Sequence, residues 1–388
     1  MNMNRLFIGT LAMLTVSVAG CSGGAERNAG QGERLMTHEI SDIDSVKASN
    51  LTSGEGNFFL YDSLICFGDL VEAKVTAYSA ATGDSVTSFL TRGQGPEEIL
   101  SLDNVTPVFN SPEPMWIVFS REYDIYGYYP ARDSLAKYGR FYLERLESTD
   151  DAAAYENARG YAMTGMEFTR LNDSLLAVGV TPLFQGFKSL DAERHFASAH
   201  TMGELNLNTL SVDTLFGHLP EVYRKYPSSY FNDKSVAFAA DGKRYFVNFV
   251  EDSLIQCMEY PDKLLYEFGF DAPGANREYS GKFVYGENED IRGGLREERA
   301  RVGFSTGLFY DTEEEVLLRT VLLDGTSKRN VLQVYDKEGN LIAEREVPSG
   351  FQILGKHDGK YHAVRRRPYV DDEQTVFTFF SFTVAPRS

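Results

Sequence analysis

Basic residues are scarce in this chain: 38 Lys and Arg stand against 56 Asp and Glu, a formal net charge of −18. A surface of that sign repels phosphate backbones and gains nothing from flat docking on anionic lipid, so nucleic acid is not expected among its partners. The acidity also serves as an ordinary solubility device. Cysteine is scarcer still, and Cys21, Cys66 and Cys257 form no C-x-x-C metal pattern. Cys66 and Cys257 can pair only if their Cα atoms come within bonding range; two separate buried thiols in strands are the expectation. Helical periodicity is hard to find. The best stretches, Ala152 to Arg159 and Asp290 to Arg301, read as short inserts. No Pro- or Ser-rich linker divides residues 35–388, which read as one domain.

What the chain does hold is aromatic side chains and turn formers. Its 27 Phe, 22 Tyr and 34 Gly against 13 Pro suit many short strands joined by tight turns. At 388 residues there is ample material for a large core.

Residues 1–20 read as a signal peptide, with Arg5 as the positive n-region and Leu6 to Val18 as an apolar stretch too short to span a bilayer. Val18-Ala19-Gly20-Cys21 resembles the bacterial lipobox, which implies that Cys21 becomes the lipid-bearing N-terminus. Ser22 after the Cys, with no Asp there, points to the outer membrane, with the body facing the periplasm or the cell surface. Residues 21–34 are small and polar and read as a flexible tether.

From Leu35 onward short strands alternate with Asp, Asn, Gly or Ser turns. They group into five sets of four, over Phe58–Leu90, Val105–Tyr142, Met166–Phe216, Val236–Phe268 and Arg301–Val347, and a last set of three over Phe351–Val384. This arithmetic predicts an all-β, six-bladed β-propeller of four-stranded antiparallel blades. Leu35 to Val46 is expected to supply the missing strand and close the ring, removing free sheet edges. Asp-Ser/Thr-Leu/Val recurs at Asp62, Asp84, Asp133, Asp173, Asp213 and Asp252. Asp and Ser bond back to the local backbone and open turns there.

Ser88 to Leu100 organises this layout. An apolar strand end runs into Arg92-Gly93-Gln94-Gly95-Pro96-Glu97-Glu98-Ile99, where the glycines are free to take φ > 0 and Pro96 fixes φ. The chain is expected to leave one sheet here and begin another. No helix pattern follows and no Lys stands in the stretch, so it is not read as a phosphate cradle. The octapeptide resembles the blade-junction sequence of NHL-type and TolB-like six-bladed propellers, near Gly-x-Gly-Pro-Gly-Glu-Phe, with Glu97 where that family often has Gly. Val331 to Ile342 resembles the family's strand, Asp-x-x-Gly turn and strand. Together with Cys21, the chain resembles the TolB-like propeller lipoproteins of Gram-negative bacteria.

No catalytic set stands out. Gly303-Phe304-Ser305-Thr306-Gly307 matches the nucleophile-elbow letters, but no parallel α/β pattern surrounds it and a strand is expected after it. The six histidines are read as isolated surface or turn residues. The acidic runs Glu287–Asp290, Asp311–Glu315 and Asp371–Glu373 are read as solvated loops, and Asp336–Asn340 as a hairpin turn, so no metal or cofactor is expected. Two groups are candidates for ligand contact. The segment with Tyr223, Tyr226, Tyr230 and Pro227 reads as a loop with aromatics near solvent. Arg292, Arg296, Arg299 and Arg301, with Arg365-Arg366-Arg367, form basic groups suited to bidentate capture of a carboxylate or acidic sugar, the alternative being ion pairs with Glu297, Glu298 and Asp371. The functional expectation is a lipid-anchored, non-enzymatic binding or protein-interaction module for an envelope protein, peptide or glycan. The alternative is a propeller lyase or hydrolase acting on glycans or peptides at the mouth of a central channel.

Overall fold

The computed structural model describes residues 32–50, 52–95, 98–109, 111–122, 124–140, 161–182, 196, 199–225, 234–239, 242–279, 297–325, 329–365, 369–371 and 374–387. Among these the protein is all-β and of propeller type. After β1 (His38–Ile40) and β2 (Asp44–Asn50), the first sheet is β3 (Gly56–Tyr61), β4 (Leu64–Asp69), β5 (Lys74–Ser79) and β6 (Ser85–Phe89), antiparallel and in chain order. A parallel pair, β7 (Thr91–Arg92) with β8 (Glu98–Ile99), leads to the second sheet, β9 (Asn104–Phe109), β10 (Trp116–Phe119), β11 (Asp124–Tyr129) and β12 (Ser134–Arg140). The third is β13 (Tyr161–Arg170), β14 (Leu175–Pro182), β15 (His200–Asn206) and β16 (Ser211–His218), joined to the second where β13 pairs parallel with β9.

The fourth sheet is β17 (Lys234–Phe238), β18 (Arg244–Phe249), β19 (Ile255–Glu259) and β20 (Lys263–Phe268). The fifth is β21 (Phe304–Asp311), β22 (Val316–Leu322), β23 (Asn330–Tyr335) and β24 (Leu341–Val347). The last contains β25 (Phe351–His357), β26 (Lys360–Arg365), the short β27 (Tyr369–Asp371) and β28 (Gln374–Phe382), with β29 (Val384–Pro386) pairing β1. The fourth strand in this sheet is β2, antiparallel to β28 from Asp44↔Ser381 to Asn50↔Thr375. The sequence reading placed the added strand at Leu35 to Val46. The strand that pairs begins at Asp44 because Asp44–Asn50 is what the β28 edge binds, while residues 33–36 lie along Leu341 at the start of β24.

Turn chemistry explains the short strands. Asp62, Asp133 and Asp358 hold φ of 53°, 47° and 48°, a left-handed region that Asp tolerates better than most side chains. Strands in the middle of a sheet are buried on both faces, as in Ile65, Cys66 and Phe67 of β4, whereas the outermost β6 is exposed over Ser85–Ser88. Aromatic side chains fill the spaces between neighbouring sheets. Trp116 packs against Phe59, Tyr61, Phe89 and Tyr128, and Phe58 packs edge-on to Phe377 of the last sheet at 4.9 Å. Each such ring withdraws enough apolar surface for roughly 1.5–3 kcal/mol. Arg319 on β22 is fully buried between the fourth and fifth sheets, donating to Ser253 O, Phe270 O, Gln333 Oε1 and Tyr335 Oη. Cys66 and Cys257 are free, buried and in separate strands.

The first strands neighbour one another in a closed cycle, β3 to β9, β13, β17, β21, β25 and back to β3. Because each sheet runs antiparallel from its first strand, its turns alternate between two faces. Turns joining first to second and third to fourth strands form a lower face, where Asp62 meets His357 (3.3 Å) and Asp311 meets Lys356 (2.9 Å). Turns joining second to third strands, and the connections between sheets, form an upper face. No described helix is long and apolar enough to cross a membrane.

Candidate functional site

The described candidates map to the upper face by their place in the chain: Arg92, Gly93 and Gly95 lie between the first and second sheets, Tyr223 between the third and fourth, Arg299 and Arg301 between the fourth and fifth, and Arg365 at the upper end of β26. Cys21, Pro96, Glu97, Tyr226, Tyr230, Arg292, Arg296 and Arg366 lie outside the described residues.

The junction turn is built around Glu98. Its Oε2 accepts from Gly95 N–H (2.7 Å), its own N–H donates to Gly95 O (3.1 Å), and Gly93 N–H donates to Ile99 O (3.0 Å). Neither glycine takes a positive φ; the left-handed residue is Leu90, at 52°. The glycines instead leave room for Glu98: a Cβ at Gly93 would overlap its carboxylate and push that side chain aside, and one at Gly95 would stand 3.0 Å from it. Arg92 is exposed.

Asp69 ties the β4–β5 turn to the chain entering β3. It is wholly buried and accepts from Thr52 Oγ1 (2.7 Å), Ser53 N–H (3.0 Å), Ser53 Oγ (2.7 Å), Val71 N–H (3.0 Å) and Glu72 N–H (2.9 Å). Burial alone would raise its pKa, but these donors hold the carboxylate below its ordinary range. With all its acceptor positions used, Asp69 is a clamp.

The chemically open part of this face centres on Glu251 in the β18–β19 turn. Glu251 is 4% exposed and its Oε2 has no hydrogen-bond partner among the described residues. Burial, then the nearby Glu298 and Asp252 carboxyls, push its pKa up to about 9 against the opposing pull of Arg277. At neutral pH it is therefore a protonated acid, able to donate. Arg277 arrives from the connection after β20. Its Nε donates to Asp271 (3.2 Å) and its Nη1 to Val250 O and Gly303 O (both 3.3 Å), while its Nη2 is buried without a partner. Glu298, 5% exposed in the helical residues 297–301, is held by Arg301 Nη2 at 3.0 and 3.1 Å. Ser305 Oγ and Asn248 Oδ1, from the adjoining upper ends of β21 and β18, are likewise buried and unpartnered.

Tyr223 belongs to this cluster, but not as expected. It was read as a loop aromatic near solvent and is instead a core residue, 2% exposed, in the short helix Val222–Lys225. It packs edge-on to Phe249 at 5.7 Å, and the Glu251 backbone N–H donates to its hydroxyl. Arg301 follows the ion-pair alternative through Glu298. Arg365 is half-buried, and its Nε has no partner among the described residues. Glu251, Arg277 and Glu298 had drawn no attention as a group, since they are separated by 26 and 21 positions and only the sheet arrangement joins them. The one local signal was an acidic pair, Glu251-Asp252, placed directly after the apolar strand end Phe249-Val250.

Other motifs resolve as structure. Ser305 lies inside strand β21 with no helix after it, which removes the nucleophile elbow. His362 is buried rather than on the surface, and the rings of His200 and His218 lie 5.0 Å apart, tilted by 43°, with His218 Nε2 3.1 Å from Asp262. Asp336 bonds only within its hairpin turn, as its spacing suggested. Among the described residues no group of three or more His, Cys, Asp or Glu is placed to hold a metal.

No protein-family model matches the chain, and no curated protein matches it in sequence. Solved structures match its fold. A member of the DUF4221 family from Bacteroides vulgatus superposes with a TM-score of 0.61 at 11% identity, over 91% of this chain and 100% of that one. A candidate exported protein from Bacteroides fragilis superposes with a TM-score of 0.51, also at 11% identity, over 92% of this chain and 99% of the other. At such identity these likenesses concern fold alone.

Proposed function

We propose that this chain is a lipid-anchored protein of the bacterial envelope: a six-bladed, TolB- or NHL-like propeller closed by β2, with residues 1–20 as signal peptide, 21–34 as tether and Cys21 as the acylated N-terminus. It acts as a non-enzymatic binding module whose upper face takes up a peptide, glycan or envelope protein. The observation that carries the binding assignment is a buried Glu251 Oε2 and a buried Arg277 Nη2, both without a hydrogen-bond partner among the described residues, where connections from three sheets converge. Buried polar groups normally find partners, so a donor–acceptor set left open in a region of sheet connections is the expected signature of a recognition site. The exported neighbour supports an envelope address.

Binding of the mature chain to peptide and glycan arrays tests this. Arg277→Ala and Glu251→Gln should each weaken a selected ligand by on the order of tenfold or more, as for loss of a buried polar contact, while Lys337→Ala on the lower face leaves binding unchanged. Equal loss, or none, in all three variants would refute the site. A second reading, a glycan lyase or hydrolase, draws on the raised Glu251 pKa beside Glu298. Ligand consumed by wild type and retained by Glu251→Gln would select it.

A further inference from the structure

The chain enters its folded part at a fixed point on the lower face. Glu33 N–H donates to Asn340 Oδ1 (2.9 Å), Leu341 N–H donates to Glu33 O (2.8 Å), and Gly32 lies so close to Gly339 that a Cβ there would overlap its carbonyl. Gly339 and Asn340 belong to the β23–β24 turn, which joins third to fourth strand and so sits on the lower face. That turn is itself braced. Asp336 Oδ1 accepts from Glu338 N–H (3.0 Å) and Asn340 N–H (2.8 Å), and Asp336 Oδ2 accepts from Asn340 Nδ2 (2.8 Å). Beyond it, Leu35 and Met36 N–H both donate to Leu341 O, and Arg34 reaches Asp271 O (2.9 Å) while stacking over Phe270.

We infer that the protein is held with its lower face toward the membrane and its upper face, with the Glu251–Arg277 cluster, directed away from it. The inference rests on the reading of Cys21 as the lipid-bearing residue. Eleven peptide units join Cys21 to Gly32, so even fully extended their Cα atoms stand at most about 40 Å apart. The seven-residue β24 alone rises about 23 Å from lower to upper face. An anchor reaching a bilayer placed over the upper face would have to run the full height of the sheet and then cross its rim, which takes up most of that length. From the lower face it reaches the bilayer directly.

Charge separates facing the membrane from sticking to it. On the lower turns the exposed acids Asp62, Asp173, Glu313, Glu314, Glu338 and Asp358 outnumber the exposed bases Arg132, Lys243 and Lys337, so anionic headgroups repel this face and it stands off within the tether's reach. Of the large apolar side chains exposed in described connections, Val71 (45%) and Leu100 (56%) are on the upper face, while Leu35 (44%) lies where the chain enters on the lower face. A partner approaching from the aqueous side meets the open cluster first.

Energy transfer tests the orientation. The mature chain is coupled through the Cys21 thiol to a maleimide-headgroup lipid in phosphatidylglycerol-containing vesicles; Cys66 and Cys257 are buried and so do not compete. A genetically encoded fluorescent amino acid stands at Asp173 or Glu338 (lower), or at Val71 or Leu100 (upper), and an acceptor dye is carried by the lipid. Transfer from the lower pair should exceed that from the upper pair by about twofold or more, given a face separation near the β24 rise. Equal transfer, or stronger transfer from the upper pair, overturns the inference. Mass spectrometry of the protein purified from cells judges the anchor separately: an unmodified or differently cut N-terminus refutes the lipoprotein reading and with it the orientation in the cell, whatever the coupled chain shows.

Discussion

Glu98 folds its carboxylate back over Gly93, occupying the space that a side chain at position 93 would need. The same carboxylate accepts from Gly95 N–H, so one acidic residue both closes the inter-sheet turn and fills the space a Cβ at Gly93 would take. Gly93→Ala should therefore displace the Glu98 side chain from its bond to Gly95 N–H, at a cost of about 0.5–1.5 kcal/mol. The double variant Gly93→Ala/Glu98→Ala should cost less than the sum of the two single changes, because removing the carboxylate vacates the contested space. Urea denaturation of the four proteins measures the coupling; simple additivity would contradict this account.

Glu251 makes stability fall with rising pH. Its folded pKa, about 9, stands above the unfolded value of about 4.3, so the native state holds a proton that the unfolded chain has released. The contribution is complete below the unfolded pKa and disappears as pH rises through the folded one, with a slope of up to about 1.4 kcal/mol per pH unit between them. Glu251→Gln keeps the shape and removes the proton equilibrium. Urea midpoints at pH 5, 7 and 9 should decline more steeply for wild type than for this variant, and the variant should be the more stable at pH 9.

Asp69 has the opposite sign. Its folded pKa lies below the ordinary carboxylate value, so its contribution is present above the unfolded pKa and is lost as pH falls through the folded one. Asp69→Ala leaves the Val71 and Glu72 N–H groups without their acceptor and releases Ser53, at a cost of about 1–3 kcal/mol. Hydrogen exchange should report the loss first at Ser53, Val71 and Glu72.

Arg319 tests the fourth–fifth sheet interface. Arg319→Met removes a buried cation and leaves the carbonyls of Ser253 and Phe270 without their donor, for a loss of about 3–5 kcal/mol. Arg319→Lys should not restore it, since one ammonium cannot span acceptors arranged for a guanidinium fork. Thermal melts of both variants decide the point: a lysine variant matching wild type would argue against the fork.

The strand ladder was legible in the sequence because Asp, Ser and Gly turns punctuate apolar runs, and a turn residue such as Asp62 or Asp133 carries its reason locally in its φ. The strand that pairs with β28 was not, because Asp-Ser-Val-Lys-Ala-Ser-Asn offers no clean alternation and is a strand only through β28. Gly93 and Gly95 marked the junction correctly for the wrong reason, since the steric demand comes from Glu98 and not from their own backbone angles. Tyr223 looked like a loop residue beside Pro227, yet its burial is decided by Phe249 and Glu251, which no local window contains. The Glu251–Arg277–Glu298 cluster was invisible for the same reason: its members share a place and not a motif.

The pairing of β2 with β28 sets an order of events. These strands are separated by more than three hundred positions, so β2 leaves the ribosome long before β28 does. Until residues 374–382 arrive, β2 has no edge to join, and the first and last sheets cannot bury Phe58 against Phe377. The cost of closing so long a loop falls at the end of folding. A chain interrupted in transit thus exposes an unpaired strand at one end and an unmatched aromatic wall beside it, the features by which an incomplete copy is open to capture or degradation while a finished one is not.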